Sequence, residues 1–201
     1  MNSQRRSGLR LGVVLAAGAG SRMGGPKALL EYQGSRLIER AVKVAFAGGC
    51  DRVVAVLGAS SAEAKPFAES AGADVVVNHR WREGMGSSLS TGLAVAPLVA
   101  PDAVAALVLL VDQPDITKDA VSAVLSAHRD PEDPTVLAAA AYDGKRGHPV
   151  LLGRAHWDKL IPTLTGDFGA REYMYEHRNE VILVPCDRIA DPRDLDRPED
   201  L

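Results

Sequence analysis

The sequence predicts an α/β fold, a three-layer sandwich in which helices cover both faces of a mostly parallel sheet. Two observations carry this prediction. Short runs of β-branched and aliphatic residues alternate along the chain with segments of helical periodicity, which is the pattern of β-α-β units. In addition, every residue from 104 to 111 (VAALVLLV) is apolar, as expected of a strand that is covered on both faces in the middle of a parallel sheet.

The helices are predicted from apolar spacing and from the residues that start and stop them. Residues 35–47 carry an apolar stripe that ends at a glycine pair, and Ser60 with Glu63 has the spacing of a capping box for a helix that ends near Gly72. Another helix is expected after the glycine- and serine-rich loop 78–88. Thr117 stands in an N-cap position for a helix to about residue 128, and a last helix is expected over 169–177.

The strands are predicted from runs bounded by turn residues, at 11–15, 52–57, 74–77, 104–111, 135–142, 147–152 and 181–185. The runs 135–142 and 147–152 are separated by a turn at Asp143-Gly144, so they predict a mixed or antiparallel strand pair in the C-terminal half. The acidic, proline-broken tail from Asp187 is expected to be irregular.

The overall composition excludes several classes of function. The chain has 201 residues, a hydrophobic fraction of 46% and a formal net charge of -3, which suits one domain over 1–201 and gives no reason to expect nucleic acid or a membrane as partner. Residues 1–10 lack the apolar stretch of a signal peptide, so a cytoplasmic protein is expected. Cys50 and Cys186 lack metal-ligand spacing and are expected to be reduced.

A glycine-rich stretch at residues 15–27 (LAAGAGSRMGGPK) follows the first predicted strand. Glycines let successive N–H groups point at one anion, and Arg22 and Lys27 add positive charge, so the stretch predicts a phosphate-binding loop. The dinucleotide fingerprint does not fit, because Met23 stands at its third glycine position. The Walker pattern does not fit either, because Lys27 follows a proline and no Ser or Thr comes after it. The alternative is a glycine-rich turn with two solvated cations.

Asp112 comes directly after the apolar run 104–111. Open α/β sheets bind ligands at the carboxyl ends of their strands, and Mg²⁺ typically takes one or two protein carboxylates together with phosphate oxygens. A helix-capping or strand-ending aspartate is the alternative.

The segment 78–89 (NHRWREGMGSSL) offers glycine N–H groups and the hydroxyls of Ser87 and Ser88 to a nucleotide, and N-capping by these serines is the alternative reading.

The loop pattern L-A-A-G-x-G-x-R-M-G-x-P-K resembles the signature of nucleotidyltransferases that process sugars and cofactors. It is most similar to the MobA/MocA-like branch, the molybdopterin guanylyl- and cytidylyltransferases. Four later segments are similar to this branch as well: Asp-x-Pro at Asp112, Gly-His-Pro at His148, the run 166–171 (GDFGAR), and the closing Asp-x-Asp of residues 194–196. The closing segment is expected to be a docking element without a chemical role. The resemblance implies a Rossmann-like nucleotidyltransferase fold, with a nucleotide-binding half at about 9–115 and an acceptor-binding half at about 116–201.

The resemblance also implies roles for individual residues. Arg22, Lys27 and Asp112 are the expected catalytic residues, and Asp112 and Asp167 the expected ligands of Mg²⁺, although Asp167 before a helix is equally read as a cap. His148, Asp167 and Arg171 are expected at the acceptor, and a structural role is the alternative for His148. The residues expected at the nucleotide are Leu15, Ala16, Ala17, Gly18, Gly20, Ser21, Arg22, Lys27, Asn78, Gly84, Ser87 and Ser88.

The expected reaction is transfer of a nucleoside monophosphate from a nucleoside triphosphate to a phosphorylated pterin-type acceptor, with release of pyrophosphate. Alanine at position 17 is similar to the cytidylyl enzymes, whereas the guanylyl enzymes tend to have glycine at this position. This resemblance favours CTP over GTP. Two alternatives remain: an NAD(P)H-dependent oxidoreductase on the same scaffold, since some relatives are described as reductases, and a non-catalytic nucleotide-binding partner of a molybdoenzyme.

Overall fold

The computed structural model describes residues 8–200. The prediction for the N-terminal segment 1–10 therefore lies almost wholly outside the described residues. A seven-stranded sheet forms the middle of the molecule. Its strands are β1 (Leu9–Ala16), β4 (Arg52–Leu57), β5 (Asp74–Val77), β6 (Ala103–Leu110), β7 (Leu137–Tyr142), β8 (Lys145–Gly153) and β9 (Ile182–Pro185). They lie in the order β5-β4-β1-β6-β8-β7-β9.

The sheet is mostly parallel, as predicted. β1 pairs in parallel with β4 on one side and with β6 on the other, and β4 pairs in parallel with β5. β8 pairs antiparallel with both β6 and β7, and β9 is parallel to β7. Among the seven strands of this sheet, β8 alone runs against the common direction. The mixed strand pair predicted in the C-terminal half is thereby confirmed.

Helices cover both faces of this sheet. They are α1 (Leu37–Ala47), α2 (Ser61–Ser70), α3 (Met85–Val99), α4 (Lys118–Ser126), α5 (Arg154–Leu160) and α6 (Arg171–Glu176). β6 shows the packing clearly: Leu107 belongs to the apolar cluster shared with α1, α2 and α4, and Val108 belongs to the cluster shared with α3, α5 and α6. The three-layer sandwich predicted from the sequence is confirmed.

The structure corrects one predicted helix start and one predicted helix cap. Residues 35–36 form a short strand, β3 (Ser35–Arg36), which pairs antiparallel with β2 (Glu31–Tyr32), so α1 begins two residues later than predicted. Left-handed residues in the turn between them, Gln33 at φ 49° and Gly34 at φ 80°, make this small hairpin. The capping box of Ser60 is wrong as well, because Ser60 has φ 51° and its side chain makes no capping hydrogen bond.

Thr117 caps α4 as predicted, since its hydroxyl accepts a hydrogen bond of 3.2 Å from the N–H of Ala120. α5 was not predicted from the sequence. The predicted helix 169–177 is shorter and begins at Arg171.

Cys50 and Cys186 are both free and buried. No helix in the range 8–200 is long and apolar enough to span a membrane.

Candidate functional site

The loop that follows β1 is closed by glycines. Gly20 has φ +59°, and a Cβ atom at this position would lie 2.0 Å from the carbonyl oxygen of Gly25. The same Gly20 carbonyl accepts hydrogen bonds from the N–H groups of Met23 (2.8 Å) and Gly25 (3.3 Å). A Cβ atom on Gly18 would have no neighbouring atom within 4 Å. The backbone is therefore fixed in a tight turn whose surface stays open to a ligand.

Lys27 lies at the end of this loop and bridges two carboxylates. Its Nζ atom donates to Asp112 Oδ2 at 2.8 Å and to Asp196 Oδ1 at 2.6 Å, and its side chain is only 17% exposed. Burial alone lowers the pKa of Lys27, but the hydrogen bonds with Asp112 and Asp196 outweigh burial and raise it. The lysine is therefore a permanent cation at neutral pH.

The C-terminal tail reaches the site and holds the end of β6. The N–H of Leu195 donates to the carbonyl oxygen of Asp112 at 2.9 Å, and the Leu195 side chain is fully buried. Gln113 Nε2 donates to Asp194 Oδ1 at 2.9 Å. The tail does dock, but it also brings Asp194 and Asp196 to the site, two carboxylates that sequence reasoning did not assign to it. The Asp-x-Asp spacing around an apolar residue was the available signal, because it puts both acids on one side of an extended chain.

Three neighbouring cavities lie at this edge of the sheet, and we call them inner, middle and outer. The inner cavity has a volume of about 330 Å³ and the middle cavity about 390 Å³. They share the lining residues Leu15, Met85, Leu110 and Asp167. The inner cavity is further lined by Ala16, Ala17, Gly18, Gly20, Lys27, Trp81, Arg82, Gly84, Ser88, Val111 and Asp112. Most residues expected at the nucleotide therefore surround one space.

Four residues expected at the nucleotide do not line the inner cavity. Ser21 and Arg22 are exposed on the loop. Asn78 is buried, and its Nδ2 donates to the hydroxyls of Ser87 (2.9 Å) and Ser88 (3.1 Å). These contacts fix the start of α3, so Asn78 and Ser87 act on the shape of the wall. Direct nucleotide contacts of these four residues stay predictions.

The N-cap position of α3 is also different from the expected one. Gly84 occupies it with φ 104°, and Ser87 and Ser88 lie inside the helix. The Ser87 hydroxyl can donate to the carbonyl oxygen of Gly84 at 2.9 Å or of Arg80 at 3.0 Å. N-capping by Ser87 or Ser88 is therefore wrong. Ser88 and Gly84 do line the inner cavity, as expected.

Trp81 is a wall of the inner cavity that the sequence reasoning did not single out. A Cβ atom on Gly58 would lie 2.6 Å from Trp81 Cβ and 2.6 Å from the carbonyl oxygen of Ala17, so only glycine at position 58 lets the ring lie against the loop. The guanidinium carbon of Arg82 lies 4.3 Å from the Trp81 ring centroid. Trp81 thus lines the inner cavity with an indole, a type of side chain on which nucleobases stack.

The middle cavity has an apolar floor and a basic end. Leu89, Val108, Val150, Leu152 and Met174 are among its apolar lining residues. His148, Arg146 and Arg171 line it as well, together with Asp167, Phe168 and Asp194. All three residues expected at the acceptor, His148, Asp167 and Arg171, therefore surround one space next to the inner cavity.

His148 is neutral at physiological pH. Its side chain lines the middle cavity and is only partly accessible to solvent, and its carbonyl oxygen accepts a hydrogen bond of 2.9 Å from the Tyr142 hydroxyl. Burial lowers the pKa of His148 to about 4; Asp112 opposes this effect, and the charges of Arg146 and Arg171 add to it. A neutral imidazole can accept a hydrogen bond from a ligand in the cavity, which an imidazolium cannot.

This pKa predicts a loss of stability in acid. The unfolded chain binds a proton at His148 near pH 6.5, whereas the folded protein does so only near pH 4, so stability falls as the pH decreases from about 6.5 to about 4. Between pH 7 and pH 5 the wild type should lose about 1–2 kcal/mol of unfolding free energy relative to His148→Gln. Urea unfolding at both pH values measures this difference, and parallel pH dependence of the two proteins would contradict it.

The carboxylates of the site suit a cation. The Lys27 ammonium stands between Asp112 and Asp196 and shows that this arrangement holds positive charge. Their oxygens are of the type that Mg²⁺ prefers. Within the described residues, no group of three or more His, Cys, Asp or Glu side chains is arranged to hold a metal ion by itself. A cation here would thus depend on Asp112 and on oxygens from a bound phosphate. Asp167 lines the same inner cavity, and its role as second ligand stays a prediction.

A family model for the MobA-like NTP transferase domain matches residues 12–182. The chain belongs to this family. A curated relative, named nicotine blue oxidoreductase, from Paenarthrobacter nicotinovorans is 38% identical over 198 residues, which cover 94% of this chain and 93% of the relative. The purine catabolism protein PucB of Bacillus subtilis (strain 168) is 27% identical, with 97% of this chain and 95% of the relative covered.

Solved structures agree with the fold. The crystal structure of Rv0371c from Mycobacterium tuberculosis H37Rv has a TM-score of 0.77 and 29% identity, and the match covers 96% of each chain. Rv0371c has also been solved as a complex with manganese, which matches with a TM-score of 0.74 and 28% identity over 96% of this chain and 95% of that one. The manganese complex of that protein is consistent with a carboxylate, Asp112, that stands at the end of β6 in this chain.

Proposed function

We propose that the protein transfers a nucleoside monophosphate from a nucleoside triphosphate to a phosphorylated cofactor, with release of pyrophosphate. The favoured donor is CTP, with GTP as the alternative, and the favoured acceptor is molybdopterin or the molybdenum cofactor. One observation carries the proposal. The inner cavity, which contains the glycine loop, Lys27 and Asp112, shares four lining residues with a second cavity of similar volume. Two substrates can therefore meet at their common wall.

The division of labour follows from the lining of each cavity. The glycine loop and Lys27 would hold the triphosphate, and Lys27 would stabilise the negative charge on the leaving pyrophosphate. Asp112 would hold Mg²⁺, which supplies charge neutralisation at the triphosphate when it is bound. A phosphate monoester of the acceptor is largely ionised at neutral pH, so attack by one of its oxygens on the α-phosphorus needs no strong general base.

The second candidate function is NAD(P)H-dependent reduction. It is favoured by the name of the relative that is 38% identical, nicotine blue oxidoreductase. The residues argue against it, because Met23 stands where the dinucleotide fingerprint has its third glycine and β4 ends in Leu57 without the acidic residue that binds a ribose. A non-catalytic nucleotide-binding partner of a molybdoenzyme is disfavoured by the intact pair of Lys27 and Asp112.

A thermal-shift panel separates these functions. Addition of CTP with Mg²⁺ should raise the melting temperature by about 5–10 °C at a concentration about 100 times its Kd, since it binds only the folded protein. GTP should give a smaller shift, ATP and UTP the smallest, and NADH and NADPH none. Omission of Mg²⁺ with EDTA should reduce the CTP shift. A shift with NADPH and none with any triphosphate would support the reductase instead.

Turnover completes this test. Pyrophosphate release from CTP in the presence of the pterin acceptor is the expected activity. Tight CTP binding without release of pyrophosphate for any phosphorylated acceptor would favour the non-catalytic alternative.

A further inference from the structure

Arg146 and Arg171 stand together at one end of the middle cavity. The Nη2 atom of Arg146 donates to the carbonyl oxygen of Arg171 at 3.1 Å, which ties β8 to the first residue of α6. Neither guanidinium lies within 4 Å of a carboxylate oxygen among the ion pairs of residues 8–200. Two neighbouring cations without an acidic partner repel one another, and an anion between them removes this repulsion.

The two arginines lie away from the phosphate loop. They line the middle cavity and also the outer cavity, which has a volume of about 520 Å³ and is further lined by Phe168, Glu172, Tyr175 and Glu176. The inner and outer cavities have no lining residue in common. The middle cavity thus shares one set of lining residues with the inner cavity and a different set with the outer cavity.

We infer that Arg146 and Arg171 form a subsite for an oxyanion group of the acceptor, distinct from the phosphate that reacts with the nucleotide. This inference rests on the proposed function, because it takes the middle cavity as the acceptor site. The reacting oxygen must reach the wall shared with Lys27 and Asp112, whereas the arginines line the other side. The acceptor therefore carries its nucleophile at one end and a second negative charge, a carboxylate or a phosphate, at the other. The inference thus narrows the proposed acceptor to a phosphorylated molecule with a second anionic group, which a pterin whose one phosphate is the reacting group does not have.

The surroundings of the arginines strengthen their selectivity for an anion on an apolar body. Burial lowers the pKa of Arg146, and the charge of Arg171 lowers it further, so a bound anion relieves an electrostatic cost that is already present. Phe168 and Tyr175 line the outer cavity together with the arginines and are 61% and 65% exposed, so they present aromatic surface to the part of the ligand that leaves the middle cavity. Glu172 and Glu176 line the outer cavity and disfavour a second anion further out.

The test uses a matched set of probes: 2-naphthoate, 2-naphthyl phosphate and the neutral, nearly isosteric 2-naphthamide. Binding is measured by calorimetry without nucleotide, so the result does not depend on any transfer reaction. Wild-type protein should bind each anion about tenfold more tightly than the amide, the difference expected of one charge-assisted contact. The rank of carboxylate and phosphate identifies which oxyanion the subsite prefers.

Arg146→Met and Arg171→Met should each remove most of this preference while the affinity for 2-naphthamide stays unchanged. Arg129→Met is the matched control, because Arg129 is exposed on another part of the surface and should keep the preference. Equal binding of amide and anions by the wild type, or an equal loss of all three probes in the arginine variants, would overturn the inference. The CTP shift of each variant is recorded separately: its absence in the wild type would refute the proposed function without altering the probe result.

Discussion

Lys27→Met is expected to reduce the rate of pyrophosphate release by about 10³-fold, the upper range for loss of one group that stabilises developing charge. The side chain is only 17% exposed and lines the inner cavity beside the glycine loop. Its ammonium also separates the carboxylates of Asp112 and Asp196, which it contacts at 2.8 and 2.6 Å. Methionine keeps the length of the chain but leaves these two negative charges facing each other, in the space that a triphosphate must enter.

Two measurements separate catalysis from folding. The circular dichroism spectrum and a cooperative melting transition should be retained, since Lys27 is in a short 3₁₀ turn and not in the core. Lys43→Met serves as the control, because Lys43 is 61% exposed and, within residues 8–200, forms an ion pair with Glu39 alone, at 3.9 Å; its turnover should equal that of the wild type. Retention of more than a tenth of the wild-type rate by Lys27→Met would remove Lys27 from the proposed machinery.

The central parts of the fold were predictable because they depend on local pattern. The unbroken apolar run of β6 required cover on both faces, and the polarity change at Asp112 marked the end of that strand. The sequence could not reveal that Lys27 meets Asp196, because the two residues are 169 positions apart and only the path of the tail brings them together. The tail in turn is held by Leu195, one buried residue in an irregular segment, which has no periodicity to read.

Two helix caps and one cavity residue were predicted wrongly or not at all, because residue type and spacing do not reveal the backbone conformation or the packing partners. Ser60 and Glu63 have the spacing of a capping box, but Ser60 adopts a left-handed conformation, so its hydroxyl cannot reach the helix start. Serine is a common N-cap residue, but Ser87 lies inside the helix, where its hydroxyl accepts a hydrogen bond from Asn78 Nδ2. In both cases the backbone conformation decides where the hydroxyl points, and the spacing of residue types does not reveal that conformation. Trp81 was not predicted to line the cavity, because an aromatic residue in a loop does not indicate which residues it packs against. It packs against Gly58, which is 23 residues away in the chain.

Asp112→Asn is expected to lower pyrophosphate release by at least about 10³-fold, comparable to the several kcal/mol that a bound metal ion contributes to charge stabilisation. The substitution preserves size and removes one negative charge from the inner cavity. The tail should stay docked, because Leu195 donates its hydrogen bond to the backbone carbonyl of Asp112, and the substitution leaves that carbonyl in place. Loss of activity would thus reflect the side chain alone.

The Mg²⁺ dependence of nucleotide binding gives the sharper result. In the wild type, the CTP-induced rise in melting temperature should increase with Mg²⁺ concentration. In Asp112→Asn this increase should be lost or require far more Mg²⁺, whereas Asp158→Asn, an exposed position on α5, should behave like the wild type. If Asp112→Asn instead kept its Mg²⁺ dependence and turnover, the cation site would not depend on Asp112, and Asp167 and the tail carboxylates Asp194 and Asp196 would be its candidate ligands. Loss of the Mg²⁺ dependence in Asp196→Asn would then assign the site to the tail. Because these carboxylates come from separate segments of the chain, the two variants distinguish a site built on β6 from one built on the tail.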